Sequence, residues 1–264
     1  MPQFSVEPNP SVTFSVLHED DDLLVVNKPP RLPTQPGKGH ERDTLLNGLF
    51  ATHAAKLQNL GASRDFGLLH RLDKDASGLL LIALRNRAYD ALRSAFQKRE
   101  MRKFYWALCS RAPKEPMGVI RLPIAETGGT RSTPKTAKIS RAGKPAVTAY
   151  RVVDATAHGS LIEARAATGR LHQVRVHLEA IGCPILGDEF YASPAVRDAA
   201  PRLALHAHRL AFKHPVTGEM MDFRTPWPSD LRRALHRLGL KRPDLPRAAS
   251  APDQSNDTGK PSEV

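Results

Sequence analysis

Residues 68–83 read LLHRLDKDASGLLLIA. A leucine run is interrupted by His70, Arg71, Asp73, Lys74 and Asp75, then resumes at Leu79. The flanking segments, FGLL and GLLLIAL, are short apolar runs with the length of buried strands. A fold that accepts both must hold the polar residues between them in a rigid turn at the edge of its core, and Ser77 and Gly78 suit that turn.

Placed there, Asp73 loses solvation, which costs several kcal/mol unless a cation pairs with it. Asp75 can remain a solvated turn residue. A second segment, GRLHQVRVHLEAIG, supplies the cation. Its spacing of Leu171, Val174, Leu178 and Ile181 is helical, with Thr168 as the expected cap and Gly182 closing it. Arg175, one position beyond Val174, then sits at the border of the buried stripe. An Arg–Asp pair in a cleft keeps the carboxylate ionised, as a nucleophilic or positioning carboxylate requires. His172 and Gln173 fall near the helix start, where free backbone N–H groups favour an anion. The same residues also admit a plainer reading, in which Asp73 caps a turn and the arginines lie in water.

Around these segments the pattern is of hairpins with helices interspersed. VTFSVLH, EDDD and LLVVN read as strand, turn and strand, and residues 28–39, rich in Pro and Gly, as a loop. Asp43 is the expected cap of a helix carrying Leu45, Leu46, Leu49 and Phe50. Asn86 is the expected cap of another, with Tyr89, Leu92 and Phe96 inward. MRKFYWALCS alternates as a strand; AVTAYRVVDA and SLIEARAA form two more, then LALHAHRLAFKHP and MDFRTP, with SDLRRALHRLG as a capped terminal helix. The expected class is α+β, a mixed and mainly antiparallel β-sheet with flanking helices and a central cleft. Residues 1–15 are expected to be an extension, 16–240 one folded domain, and 241–264, with four prolines, a disordered tail.

The charge is lopsided: 39 Lys and Arg against 27 Asp and Glu, a net of +12. In the last stretch Lys241, Arg242, Arg247 and Lys260 balance Asp244, Asp253, Asp257 and Glu263, so the excess lies on the part expected to fold. A folded surface that basic meets a polyanion. Apolar runs are too short to span a membrane, and the N-terminus lacks the basic and apolar regions of a secretory signal. Cys109 and Cys183 are far apart without a CxxC partner, which fits a reducing cytoplasm.

Catalytic metal chemistry has no support in the spacing: HExxH is absent, His172 and His177 are out of register on a helix, and His206 and His208 lack a third ligand. P-loop, GxGxxG and GxSxG motifs are also missing. Lys103 and Tyr105 share one strand face, a cation beside a flat ring, which suits a phosphate contact and a stacked base. RSTPKTAKISRAGK, residues 131–144, carries five basic side chains and no acid. It reads equally as a mobile RNA-gripping loop or a solvated hairpin.

HRLDKDASGLLL resembles the HRLDxxTSGLLL signature of the RluA-type RNA pseudouridine synthases. KFY is similar to that family's K-x-Y element, and GRLHQVRVHLEAIGCPILGD to its GRTHQIRVHLxxIGxPxxGD segment. EDDDLLVVNKPPRLPTQPG, PKTAKISRAGKPAVTAY and LHAHRLAFKHPVTGE follow in the family's order, so the likeness covers roughly residues 16–227. It implies conversion of a uridine in ribosomal or transfer RNA to pseudouridine, without cofactor or metal, by three side chains: Asp73 as catalyst, Arg175 as its salt-bridge partner and Tyr105 stacked on the target base. Arg71 would help replace the extruded nucleotide. His70, Lys103, Lys135, Lys138, Arg170, His172 and Gln173 complete the implied RNA contacts. A monomer is implied, and the S4 RNA-binding domain of some members is expected to be missing. Three routes stay open: attack on ribose C1′, attack on uracil C6, or elimination. The alternative is an inactive RNA-binding protein on the same fold. Ala76 and Leu171 stand where the family has threonine, so hydrogen bonds worth about 0.5–1.5 kcal/mol each are expected to be missing there.

Overall fold

The structure, a computed structural model, describes residues 5–129 and 134–243. The opening alternation becomes a hairpin of β1 (Ser15–Glu19) and β2 (Leu23–Lys28). Asp20 makes its turn, one carboxylate oxygen accepting the N–H groups of Asp22 and Leu23 at 2.8 and 2.9 Å. β3 (Ser77–Ala83) is buried along its whole length and runs antiparallel to β2. Its other edge meets β10 (Leu205–Lys213) in the one parallel pairing among the described strands, at Ser77↔His206 and Gly78↔Ala207. Gly78 has φ +117°, and a Cβ there would strike the Ala207 backbone, so only glycine permits this approach. The centre of the sheet is thereby pinned immediately after the Asp73 turn.

Beyond β10 the sheet continues antiparallel through β4 (Arg102–Cys109), β9 (Gly159–Ala166), β8 (Thr148–Thr156) and β5 (Met117–Ile120). β11 (Met220–Arg224) pairs with β10 further along, past the short stretch that β3 uses. The helices α1 (Leu45–Leu60) and α2 (Asn86–Gln97) contribute Leu49, Phe50, Leu57, Tyr89 and Leu92 to one continuous core with β2 and β3. The α+β expectation holds. Residues 5–14 lie against α1, where Val6 is buried and the Asn9 N–H donates to the Asn47 carbonyl at 2.9 Å.

Local boundaries differ from the sequence reading in instructive ways. α1 is capped by Thr44, because Asn47 completes a reciprocal capping box with it, while Asp43 takes His40 instead at 2.8 Å. FGLL is not a strand: a 3-10 turn covers Ala62–Gly67 and Leu68 makes a single bridge to Ile82. Arg85, without a side-chain cap bond, precedes α2, so Asn86 is its first residue rather than its cap. The third helix, α3 (Gln173–Ala180), starts later than Thr168, whose hydroxyl donates to Gln173 at 2.6 Å. The terminal helix α5 (Arg232–Arg237) has no side-chain cap, and α4 (Pro194–Arg197) is a single turn.

In the basic run, residues 131–133 lie outside the described residues, and residues 134–144 fold into the structure. β6 (Ile124–Thr127) and β7 (Thr136–Ile139) form a hairpin, and Ile124, Ala137 and Ala146 pack with Val176 of α3. Leu171 and Tyr191 pad this small cluster. The expected tail lies outside the described residues from 244 onward.

Candidate active site

The Asp73 turn is braced at each of four successive carbonyls, three of them from outside the turn. Leu72 O accepts from Thr34 Oγ1 at 2.8 Å and Asp73 O from Ala76 N at 3.2 Å. Lys74 O accepts from Lys28 Nζ at 3.1 Å and Asp75 O from the Arg202 guanidinium at 3.3 Å. The Pro-rich loop after β2 therefore has a structural task, since it carries Thr34 and its strand ends on Lys28. Lys28 is fully buried, and its ammonium also donates to Pro29 O and Leu32 O at 2.9 and 2.7 Å. Burial, against the pull of Asp73 and Asp75, brings its amine down to about 7. Arg202 is held by Asp230 at 2.6 and 3.0 Å. Ser77 closes the turn through His206 at 2.8 Å.

The expected pair forms. Arg175 donates from Nη1 to Asp73 Oδ2 at 2.9 Å. Its other edge makes a bidentate pair with Asp188, at 2.8 and 2.7 Å. Asp188 is fully buried, and its Oδ1 also accepts the N–H groups of Phe190 and Tyr191 at 3.0 and 3.1 Å. Gly187, at φ +74°, makes this possible, because a Cβ there would strike the Arg202 carbonyl. The rings of Phe190 and Tyr191 flank the guanidinium at 5.4 and 5.0 Å. Burial opposes the Arg175 charge, but Asp188 and Asp73 outweigh it and push its pKa above the usual arginine value. The sequence reading put Arg175 at the edge of the buried stripe; it is in fact buried, because two carboxylates rather than one neutralise it.

Asp73 itself remains a quarter exposed, at 24%, and its Oδ1 makes no hydrogen bond among the described residues. His172 Nε2 stands 4.0 Å from that oxygen. His172 occupies left-handed backbone (φ 51°, ψ 24°) just before α3, and its Nδ1 contacts the Tyr191 hydroxyl at 2.8 Å. That hydroxyl accepts the Ala137 N–H at 2.8 Å, so its own proton is directed to Nδ1 and the imidazole proton to Nε2, facing Asp73. Burial, against the attraction of Asp73, pushes the His172 pKa down and keeps the ring neutral.

These groups line a cleft of about 520 Å³. Its floor carries Tyr105 and Lys103 from β4, Leu205 from β10 and Ala166 from β9. Burial, and then the Asp73 charge, push the Tyr105 phenol up, so the ring stays protonated. His70 is turned inward: its Nε2 accepts the Leu81 N–H at 3.2 Å, and burial with the Lys103 charge holds the ring neutral, near 3. Gln173 also lines the wall, but its amide is spent on Thr168, Arg170 N, Val147 O and Thr148. Arg71 is exposed at the mouth and Arg170 half-exposed there, its Nε on Pro145 O at 3.1 Å. Lys135 and Lys138 lie on the hairpin away from the floor, Lys135 paired to Glu126 at 2.8 Å.

Sequence reasoning missed Asp188, Lys28, Thr34 and Arg202. Asp188 had a signal, since an arginine drawn into a core needs more than one carboxylate edge. Arg93 and Arg99 at the mouth were also passed over.

Asp20, Asp22 and His214 form the one group among the described residues with metal-ligand proximity. His214 Nδ1 accepts the N–H groups of Val216 and Thr217 at 3.3 and 3.1 Å, so the ring proton sits on Nε2 and points at Asp20, 3.2 Å away. That tautomer makes His214 a donor rather than a ligand.

The geometry is that of a nucleic-acid-modifying site: one half-buried carboxylate anchored by an arginine, a flat ring beside it and a basic mouth. The RNA pseudouridylate synthase family model matches residues 22–180. The dual-specificity RNA pseudouridine synthase RluA of Escherichia coli is 38% identical over 216 residues, covering 80% of this chain and 92% of the relative. The ribosomal large subunit pseudouridine synthase D of Zymomonas mobilis is 36% identical over 228 residues, 84% of this chain and 71% of the relative. Among solved structures, human RNA pseudouridylate synthase domain containing 4 superposes with a TM-score of 0.67 at 28% identity, covering 87% of this chain and 95% of that one. The chain belongs to the RNA pseudouridine synthase family, of the RluA type, and isomerises uridine to pseudouridine in RNA. No helix among the described residues is long and apolar enough to cross a membrane.

Proposed function

We propose that this enzyme acts on a flipped-out uridine of a structured ribosomal or transfer RNA, with Asp73 as the catalytic carboxylate, Arg175 as its anchor and Tyr105 as the platform for the target base. The observation that carries this reading is the asymmetry of Asp73: Oδ2 is held by Arg175 at 2.9 Å while Oδ1, on the wall of the cleft, has no hydrogen bond among the described residues. Fixing one oxygen orients the other toward a reacting carbon without tying up its lone pairs. Flipping a base costs a few kcal/mol, which stacking on Tyr105 and insertion of Arg71 into the vacated stack offset. The exposed arginines at the mouth take the phosphates, and residues 16–240 act as the catalytic domain of a cytoplasmic monomer. The breadth of targets proposed is that of the relatives, one a dual-specificity enzyme and one a ribosomal large subunit enzyme.

The test is pseudouridine mapping of total RNA, by carbodiimide modification and primer extension, from cells lacking the gene and from the same cells complemented with wild type or Asp73→Ala. One or more uridines are expected to lose the mark and regain it only with wild type. Restoration by Asp73→Ala would overturn the assignment of the carboxylate, and an unchanged ribosomal and transfer RNA profile would overturn the assignment of substrate. Overnight dialysis against a chelator is expected to leave the rate of the purified enzyme unchanged.

A further inference from the structure

The cations around the cleft sort by depth. Arg71, Arg93 and Arg99 are exposed at its mouth, where a nucleic-acid strand would pass. Arg175 is buried but fully committed to two carboxylates. Lys103 is different. It lies on the floor, two residues before Tyr105 on the same face of β4, and no carboxylate pairs with it among the described residues. Its ammonium rests 5.1 Å from the centroid of Phe96. On the far side Gly169 leaves room: even a Cβ added there would stand 3.9 Å from Lys103 Nζ. The neighbouring ionisable groups do not neutralise it, since His70 is a neutral ring and Tyr105 a protonated phenol, while Asp73 is engaged by Arg175. Holding a cation at the base of a cleft without a counterion is unfavourable, and a surface lysine would serve a phosphate as well.

The chemistry supplies an anion. When the N1–C1′ bond breaks, by displacement at C1′ or by elimination, its electron pair stays on uracil N1 and spreads to O2 and O4. Attack at C6 likewise drives charge onto O4. The new C5–C1′ bond then takes its pair from the ring, and the C5 proton leaves while N1 gains one, so the isomerisation balances without a co-reactant. Each route therefore makes the uracil transiently negative.

We propose that Lys103 is a further catalytic residue of this site, the cation that stabilises the negative charge developing on the detached uracil, rather than a phosphate contact. The proposal rests on the reading that Tyr105 carries the target base. A preorganised charge aimed where charge develops lowers the barrier without tightening ground-state binding. The buried setting also brings the amine down to about 8, close to the working range.

Single-turnover rates at saturating RNA, and separately measured dissociation constants, test this with wild type, Lys103→Met, Lys103→Arg and Asp73→Ala. Each enzyme meets an oligonucleotide bearing uridine at the target and one bearing 5-fluorouridine, whose ring is the more stable anion; the readout is loss of the N1-linked nucleoside. Lys103→Met is expected to slow uridine by about 100-fold, with a dissociation constant unchanged within a few-fold. It should slow fluorouridine clearly less, and Lys103→Arg should recover part of the rate. A normal saturating rate with weakened binding would make Lys103 a phosphate contact, and equal losses on both bases would make it structural; either overturns the proposal. Activity in Asp73→Ala would instead break the underlying reading of the site, whatever Lys103 does.

Discussion

Asp188 sets the position of the Asp73–Arg175 pair, although among the described residues its carboxylate bonds only Arg175 and two backbone amides. Asp188→Asn removes the charge that balances a buried guanidinium while keeping the shape. Breaking such a pair costs about 3 kcal/mol, which for a domain of this size lowers Tm by roughly 6–12 °C. Calorimetry should show that loss, and single-turnover kinetics a slower saturating step because Arg175 is free to move toward Asp73. Tyr191→Phe is the milder counterpart. It deletes the hydroxyl between Ala137 N and His172, a loss of about 1 kcal/mol, and lets the imidazole turn away from Asp73; the melting shift should be small. An unchanged rate in Tyr191→Phe would show that the His172 orientation is irrelevant. At this scale the pairing of Asp73 with Arg175 was legible because each lies beside an apolar stripe that draws it inward, and the placing of Tyr105 because it shares a strand face with Lys103. Asp188 closes the same GRLHQVRVHLEAIGCPILGD segment as Arg175, yet its place in a GD turn after an apolar run looks like ordinary punctuation. The capping box of Thr44 was legible in Asn47 three residues on, yet Asp43 next to it offers the same chemistry one residue earlier.

Between β2 and β3 the unit that matters is a loop holding a loop, and Lys28 is its clasp. In the unfolded chain this amine titrates at its ordinary 10.5, in the fold at about 7. Between those values the unfolded state binds more protons, so this group makes stability rise with pH; below about 7 its full penalty is present, and above 10.5 it is gone. At about 1.4 kcal/mol per unit the swing is roughly 3–5 kcal/mol. Lys28→Met lowers stability by a fixed amount through the three lost carbonyl bonds but lacks this slope. Chemical denaturation of both proteins from pH 6.5 to 9.5 should therefore show wild type gaining on the variant as pH rises. Parallel curves would mean that the three carbonyls and the nearby Asp73 and Asp75 hold the ammonium at an ordinary value. Strands and hairpins were readable here from alternation, and the Pro-rich stretch from composition. Its task was not readable, since the decisive bond runs from the Lys28 side chain to a carbonyl 46 residues away. The basic run was ambiguous for another reason. Its charges faced outward while Ala137 and Ile139 supplied the packing, and Leu171 helps bury that face. Leu171→Thr, the family's residue, should cost about 1 kcal/mol and increase amide exchange in β7.

Across the whole molecule the net charge of +12 is concentrated by the fold rather than merely carried by it. Lys103 apart, the interior cations Lys28, Arg175 and Arg202 are spent on partners, the first on carbonyls and the other two on carboxylates. At the mouth, Arg71, Arg93 and Arg99 are exposed and have no carboxylate pair among the described residues, so association with RNA should be governed by phosphate neutralisation there. Each contact releases condensed counterions, and on a single strand six contacts give a log–log slope against salt of roughly −4. Filter binding between 50 and 300 mM salt measures it directly. Asp73→Ala should keep the slope, because in the proposed reading that carboxylate serves the base and not the backbone, whereas Arg99→Ala should flatten it by about 0.7 with little effect on the saturating rate. The two readouts separate the depth-sorted charges: mouth arginines move binding and its salt dependence, and floor residues move the chemical step. A slope near zero would mean that shape and stacking hold the RNA, and that the basic surface answers to something other than this cleft.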